Sequence, residues 1–184
     1  MTEILIFKEE QFTLHTLQLG DLKNFINLIE DHATKSFAVV DPAWEVPKIL
    51  KYINEQGGRL TDIILTHSHY DHVNGIDQVL HLAAVPVHIS KAEADFWGRA
   101  GKTEKIVKED ATIQLGETSI QTIYTPGHTV GSMCLLIGKH LVSADTLFVY
   151  GAGRCDLPGG DAATLYKSLK KLENILDDDV LVHP

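Results

Sequence analysis

The stretch Thr66-His67-Ser68-His69-Tyr70-Asp71-His72 places three imidazoles and a carboxylate within six consecutive positions, 67 to 72. It follows the apolar run Ile63-Ile64-Leu65 and precedes Val73-Asn74-Gly75, so it reads as a loop leaving the end of a buried strand. His67 and His69 are two apart, and an extended chain sends side chains of that spacing to one side. A turn at Asp71 and His72 would aim two further donors at a point beside the first. Neutral imidazole nitrogens and a carboxylate are a donor set for zinc, iron or manganese. A polar loop that happens to be rich in histidine accounts poorly for four donors at one strand end. The stretch reads as a metal site.

Such a site needs donors from elsewhere, and the sequence offers three more at strand ends. In Tyr124-Thr125-Pro126-Gly127-His128-Thr129, Pro and Gly bend the chain sharply before His128. Leu141-Val142-Ser143-Ala144-Asp145 ends on a carboxylate, and Val180-Leu181-Val182-His183 ends on an imidazole. His15, His32, His81, His88 and His140 have no such setting and read as structural. Cys134 and Cys155 form no CxxC pair and are too sparse to staple a fold.

Elements that end together must carry these donors. Gln11 to Leu19 alternates, and 25–29 and 37–40 are short apolar runs between polar turns, which is meander behaviour. A helix starts near Pro47, with Val46, Ile49, Leu50 and Ile53 as its buried stripe and Gly57-Gly58 as its stop. Asp62 to Thr66 is the strand that delivers the histidines. Ile76, Val79, Leu80 and Ala83 mark a second helix, 85–89 a strand, and 92–100 another helix. Charged, aperiodic 102–110 reads as an exposed loop. Strands follow at 112–115, 118–124, 132–137 and 140–143. Asp161 then caps a helix with Leu165, Leu169, Leu172 and Leu176 in step, and 180–182 is a last strand. Strand runs interleaved with covering helices predict an α+β fold of the αβ/βα sandwich kind, in one domain over 1–184.

The bulk numbers agree. An apolar fraction of 44% and a charged fraction of 22% suit a soluble globular protein, and a net charge of −9 repels nucleic acid. No basic start followed by an apolar stretch reads as a signal peptide, and no run suits a membrane span. The expected setting is cytoplasmic, the expected partner a small-molecule substrate, with no nucleic acid and no membrane.

In this order THSHYDH, TPGHT, SAD and VHP resemble the HxHxDH, His, Asp and His motifs of the metallo-β-lactamase superfamily, over roughly residues 36 to 184. The resemblance implies that family's four-layer sandwich and two divalent metal ions, zinc first, iron or manganese otherwise. His67, His69 and His128 would hold one ion, Asp71, His72 and His183 the other, with Asp145 bridging. Two such ions outweigh the charge of Asp71, Asp145 and a bridging hydroxide, which favours an anionic substrate or a developing oxyanion. They also acidify bound water, and Asp71 and Asp145 thereby join the catalytic set.

Within the superfamily, β-lactamases of the best-known type carry Cys in the second site. Here Asp145 stands at the bridge, and Cys155 does not take that place. Diiron flavoprotein oxidases have Glu where His69 stands, and the nuclease branch carries an additional large domain. Asp145-Thr146-Leu147-Phe148 before a glycine turn is similar to glyoxalase II (hydroxyacylglutathione hydrolase) and its compact bacterial relatives. Gly153-Arg154-Cys155-Asp156 and Pro158-Gly159-Gly160-Asp161 are similar to those relatives and to persulfide dioxygenases. The resemblance thus implies a thioester hydrolase of the hydroxyacylglutathione type using a metal-bound hydroxide, whose thiolate product leaves without a strong general acid. The alternative it implies is a persulfide dioxygenase with one iron on His67, His128 and Asp145. Lactonases share most ligands and rank third. A metal-binding module without turnover would have no need of seven ligands. Arg154 is a candidate for a substrate carboxylate, with an ion pair to Asp156 as the competing reading, and Tyr150 for the cleft wall. Full-length glyoxalase II adds a helical C-terminal domain that binds glutathione. The family usually continues Gly-His after this point, so a C-terminal tail beyond Pro184 is expected. Most relatives place Gly before the bridging Asp, where this chain has Ala144.

Overall fold

The alternation in β2 (Phe12–Leu19) lays down the layers: Phe12 and Leu14 enter one core, Leu17 and Leu19 another. In β4 (Ser36–Val40), Ala38 and Val40 join the first core and Phe37 and Val39 the second, so both faces of this sheet are buried. The computed structural model describes residues 3–99 and 104–184. Its larger sheet runs β1 (Ile4–Lys8), β2, β3 (Asn24–Asp31), β4, β5 (Arg59–Ile64), β6 (Val87–Ser90), β7 (Glu104–Val107) in spatial order. Pairing is antiparallel from β1 to β4 and parallel from β4 to β7. Hence β4 and β5 finish at the same edge.

Three helices cover the outer face of that sheet: α1 (Val46–Glu55), α3 (Ile76–Leu82) and α4 (Lys91–Trp97), with a single turn, α2 (Tyr70–Val73), before α3. Val46, Ile49, Ile53, Ile76 and Val79 pack against Leu17, Val39 and Ile63 beneath. The second sheet contains β8 (Thr112–Leu115), β9 (Thr118–Tyr124), β10 (Met133–Ile137), β11 (His140–Val142) and β14 (Leu181–His183), ordered β14-β11-β10-β9-β8. Its inner face meets the first sheet through Ile113, Leu135, Ile137 and Val142. On its outer face Leu172 of α5 (Ala162–Ile175) packs on Ile123, Cys134 and Leu141. Asp161 caps α5, accepting from Thr164 N–H at 2.7 Å. A two-strand ribbon, β12 (Leu147–Phe148) with β13 (Gly151–Ala152), lies between β11 and α5. This is the expected αβ/βα sandwich of four layers.

Two expectations need correction. The stretch 102–110 contains a strand, β7, at Glu104–Val107; its charged residues reflect an exposed edge position rather than a loop, and 102–103 lie outside the described residues. The helix expected over 92–100 ends at Trp97, because Gly98 adopts φ 70° and closes it; Ala100 lies outside the described residues. Among the described residues, no helix is long and apolar enough to cross a membrane.

Candidate metal centre

The site lies along the edge where β4, β5, β9 and β11 end. Past β5 the chain leaves the sheet and Thr66 is tied down at once: its N–H donates to Asp41 Oδ1 at 2.7 Å and its hydroxyl to Asp41 Oδ2. Asp41 is the first residue after β4, held at φ 48°. From the same carboxylate, Oδ2 lies 3.0 Å from His72 Nδ1. One buried aspartate therefore fixes both ends of the histidine loop.

The second sheet supplies the facing donors. His128 follows β9 in the bend at Gly127, whose backbone lies against α5; a Cβ there would meet Leu165 N at 2.2 Å. His128 Nδ1–H donates to the Arg154 carbonyl at 2.7 Å, which leaves Nε2 as the ligand nitrogen. Asp145 follows β11, and Gly153 packs so closely that a Cβ would fall 1.8 Å from the Asp145 carbonyl oxygen and 2.8 Å from His128 Nδ1. Only glycine allows that approach.

These loops bring His67, His69, His128 and Asp145 into one group, their ligand atoms all within 4.8 Å of one another. His128 Nε2 is 2.9 Å from His69 Nδ1 and 3.3 Å from Asp145 Oδ2. A second group, Asp41, His67 and His72, adjoins it, and His72 Nε2 lies 3.3 Å from Asp145 Oδ1 and 3.7 Å from Asp71 Oδ2. Together the groups are consistent with a binuclear divalent-metal centre. The donor chemistry fits such ions, and so does an orphan: His67 Nε2 is buried without any hydrogen-bond partner. A buried nitrogen lone pair left unpaired is costly, and a cation satisfies it.

The protonation states agree. Burial, reinforced by His72, His128 and His69, drives His67 well below the ordinary imidazole value. Burial and His128 lower His69 too, against the pull of Asp145. Burial opposes charge on Asp145, but the hydrogen bond from His72 and the surrounding imidazoles prevail and keep its carboxyl low. Burial likewise opposes charge on His72, yet hydrogen bonds to Asp145 and Asp41 raise it to about 10.

Of the remaining candidates, Asp71 lies beside the centre, its Oδ2 accepting from Asn24 Nδ2 at 3.1 Å while Trp44 Nε1–H donates to Asn24 Oδ1 at 2.9 Å. The structure does not bring His183 to either group. Its Nε2 is 2.9 Å from His140 Nδ1, and His140 Nε2 is 3.0 Å from Glu9 Oε1. The cause is register: β14 pairs in parallel with β11, setting His183 opposite Val142 on the face that looks between the sheets. Burial and then His140 push His183 down to about 4. Arg154 is paired with Asp156 through two contacts of 2.7 Å, so the competing reading of that residue describes the structure. Tyr150 is fully exposed, and Phe148 lines the cleft in its stead. The cleft holds about 220 Å³, with Lys23, Asn24, Phe25 and Phe148 around Asp71 and Asp145. Asp41 and Asn24 were not expected as site residues. Asp41 carries the signal that marked Asp145, a carboxylate at the end of a buried strand, but Pro42 after it makes it look like a simple stop.

A family model described as "Metallo-beta-lactamase superfamily" matches residues 19–183. The chain is 35% identical over 161 residues to "Probable polyketide biosynthesis zinc-dependent hydrolase PksB" of Bacillus subtilis (strain 168), covering 88% of this chain and 72% of that protein. It is 37% identical over 145 residues to "Hydroxyacylglutathione hydrolase" of Citrobacter koseri, covering 78% of this chain and 54% of that one. The crystal structure of TTHA1623 in a di-iron-bound form superposes with a TM-score of 0.78 at 28% identity, over 92% of this chain and 90% of that one.

Proposed function

The chain belongs to the metallo-beta-lactamase superfamily as a metal-dependent hydrolase, and we propose that its substrate is a thioester of the hydroxyacylglutathione type. The observation that carries this reading is the convergence of His67, His69, His128 and Asp145 into one donor group, from which Asp145, with Asp71 and His72, lines a cleft edged by apolar side chains. Two relatives support the class, since one is named a hydroxyacylglutathione hydrolase and the other a zinc-dependent hydrolase of polyketide biosynthesis. Divalent ions bound here supply Lewis acidity, making water nucleophilic near neutral pH and polarising a carbonyl.

The chain's own residues do the rest. Phe25 and Phe148 pack on the acyl group and exclude water from it. Asp71, steadied by Asn24, orients the attacking water and accepts its proton. Asp145 keeps its charge between the imidazoles and holds the donor set together. No side-chain acid is needed for departure, because a thiolate is a good leaving group. The pairing of Arg154 with Asp156 leaves Lys23 as the cation for an anionic part of the thiol.

The test combines elemental analysis of protein purified without added metal with hydrolysis of lactoylglutathione and of acylated pantetheine. Near two metals per chain with thioester cleavage supports the proposal. His128→Ala and Asp145→Ala should lose metal and at least about a hundredfold in rate while keeping their circular dichroism. One iron per chain with oxygen uptake on glutathione persulfide, and no hydrolysis, would replace this reading with the dioxygenase.

A further inference from the structure

We propose that Glu93 is a positioning residue that sets the separation of the two loops carrying His67, His69 and His128. Glu93 sits on α4, outside every ligand loop, and is fully buried. Its Oε1 accepts from the N–H of Ser68 at 2.8 Å and from its hydroxyl at 2.5 Å. Its Oε2 accepts from the Thr129 hydroxyl at 2.7 Å and from Gly131 N–H at 2.9 Å. Ser68 stands between His67 and His69, and Thr129 follows His128. One carboxylate therefore gives one oxygen to each loop.

The helix that carries it is anchored to the same loop. Ser90 caps α4 by accepting from Glu93 N–H at 3.2 Å, and its hydroxyl donates to the Gly131 carbonyl at 2.7 Å. A Cβ on Gly131 would lie 2.2 Å from Glu93 N, so the backbones meet as closely as glycine permits. Among the described residues no Lys or Arg is paired with Glu93; four hydrogen bonds from N–H and O–H donors compensate its burial. Glutamine has the same shape but only one acceptor oxygen. Whichever way its amide turns, a backbone N–H, of Ser68 or of Gly131, faces an NH2. The two loops cannot both keep their register.

The inference rests on the metal centre and stands whichever ester that centre cleaves. Wild type, Glu93→Gln and a control, Ile53→Ala, which loosens the α1 core at the end of the sheet where β4 and β5 begin, opposite the ligand loops, would be loaded with cobalt(II). The visible d–d bands, the affinity for the first cobalt by chelator competition, and thermal unfolding without metal would be recorded for each. Glu93→Gln should bind the first cobalt roughly 10–100-fold more weakly with altered bands, whereas Ile53→Ala should lose thermal stability and keep both. Wild-type bands and affinity in a destabilised Glu93→Gln would reduce Glu93 to ordinary packing and overturn the proposal. Should Glu93→Gln not fold, Ser68→Ala and Thr129→Val each remove one hydroxyl of the strut; unchanged affinity in both overturns it equally. Failure of the wild type itself to bind cobalt would instead sink the metal centre, and the role of Glu93 with it.

Discussion

Ala144 occupies a left-handed backbone position, φ 42°, directly before Asp145. For a residue with a Cβ that conformation costs roughly 1–2 kcal/mol, and the family resemblance places glycine there. The strain is tolerated because neighbours on both sides hold the turn: Ser143 N–H donates to the His183 carbonyl at 2.9 Å and the Ser143 hydroxyl to the Leu147 carbonyl at 2.6 Å. Ala144→Gly should therefore stabilise the fold by about 0.5–1 kcal/mol, after subtracting the greater freedom of glycine when unfolded. Urea unfolding of both chains measures it; a glycine variant no more stable than the parent would show that the turn carries no strain. Asp145 was legible in the sequence as a carboxylate at a strand end, and the resemblance marked Ala144 as a departure from Gly, but the strain itself was not legible, because φ depends on which loops close over it.

Among the elements, a buried polar chain ties α1 to the first sheet well away from the metal centre. Tyr52 of α1 shares a hydrogen bond of 2.9 Å with His15 Nδ1 on β2, and His15 Nε2 is 3.0 Å from Glu30 Oε2 on β3. Lys35 Nζ reaches Glu30 Oε1 at 2.8 Å. Burial lowers the His15 pKa, outweighing the hydrogen bond with Glu30 that favours its charged form. The sign follows: the unfolded chain takes up a proton at the ordinary value near 6.5 that the folded His15 refuses, so stability falls as pH drops below about 6.5. The slope from this one group cannot exceed about 1.4 kcal/mol per pH unit. Unfolding at pH 7.5 and 5.5 should show the loss in the parent and a smaller one in His15→Gln; equal losses would put the acid sensitivity elsewhere. The element pattern was largely readable, since Leu14 and Leu17 announce a strand buried on both faces and Ile49 and Ile53 a helix lying on it. Edges were not. Glu104 and Lys105 look like loop residues because an edge strand may be charged, and only its pairing with β6 makes it a strand.

At the scale of the molecule the ligands divide between the two sheets. Asp41, His67, His69 and His72 follow strands of the larger sheet, whereas His128 and Asp145 follow β9 and β11 of the smaller one. Motif order in the sequence revealed the partners, because each stands at a strand end; it misplaced His183, whose direction depends on the register of β14 against β11. A cation shared by both sheets binds the folded chain and has no comparable site once the sheets part, so occupancy adds directly to stability. At free metal a hundredfold above its dissociation constant the gain is about 2.7 kcal/mol, or roughly 5–11 °C in Tm for a chain of this size. Chelator-treated protein should melt lower by that amount and recover when zinc is restored. The same comparison in the double variant His128→Ala with Asp145→Ala, which removes both ligands of the smaller sheet, should show little or no metal-dependent shift. If the double variant kept the full shift, the ion would be held by the larger sheet alone, and the two halves of the sandwich would owe their docking to the inter-sheet core around Leu14 and Leu135.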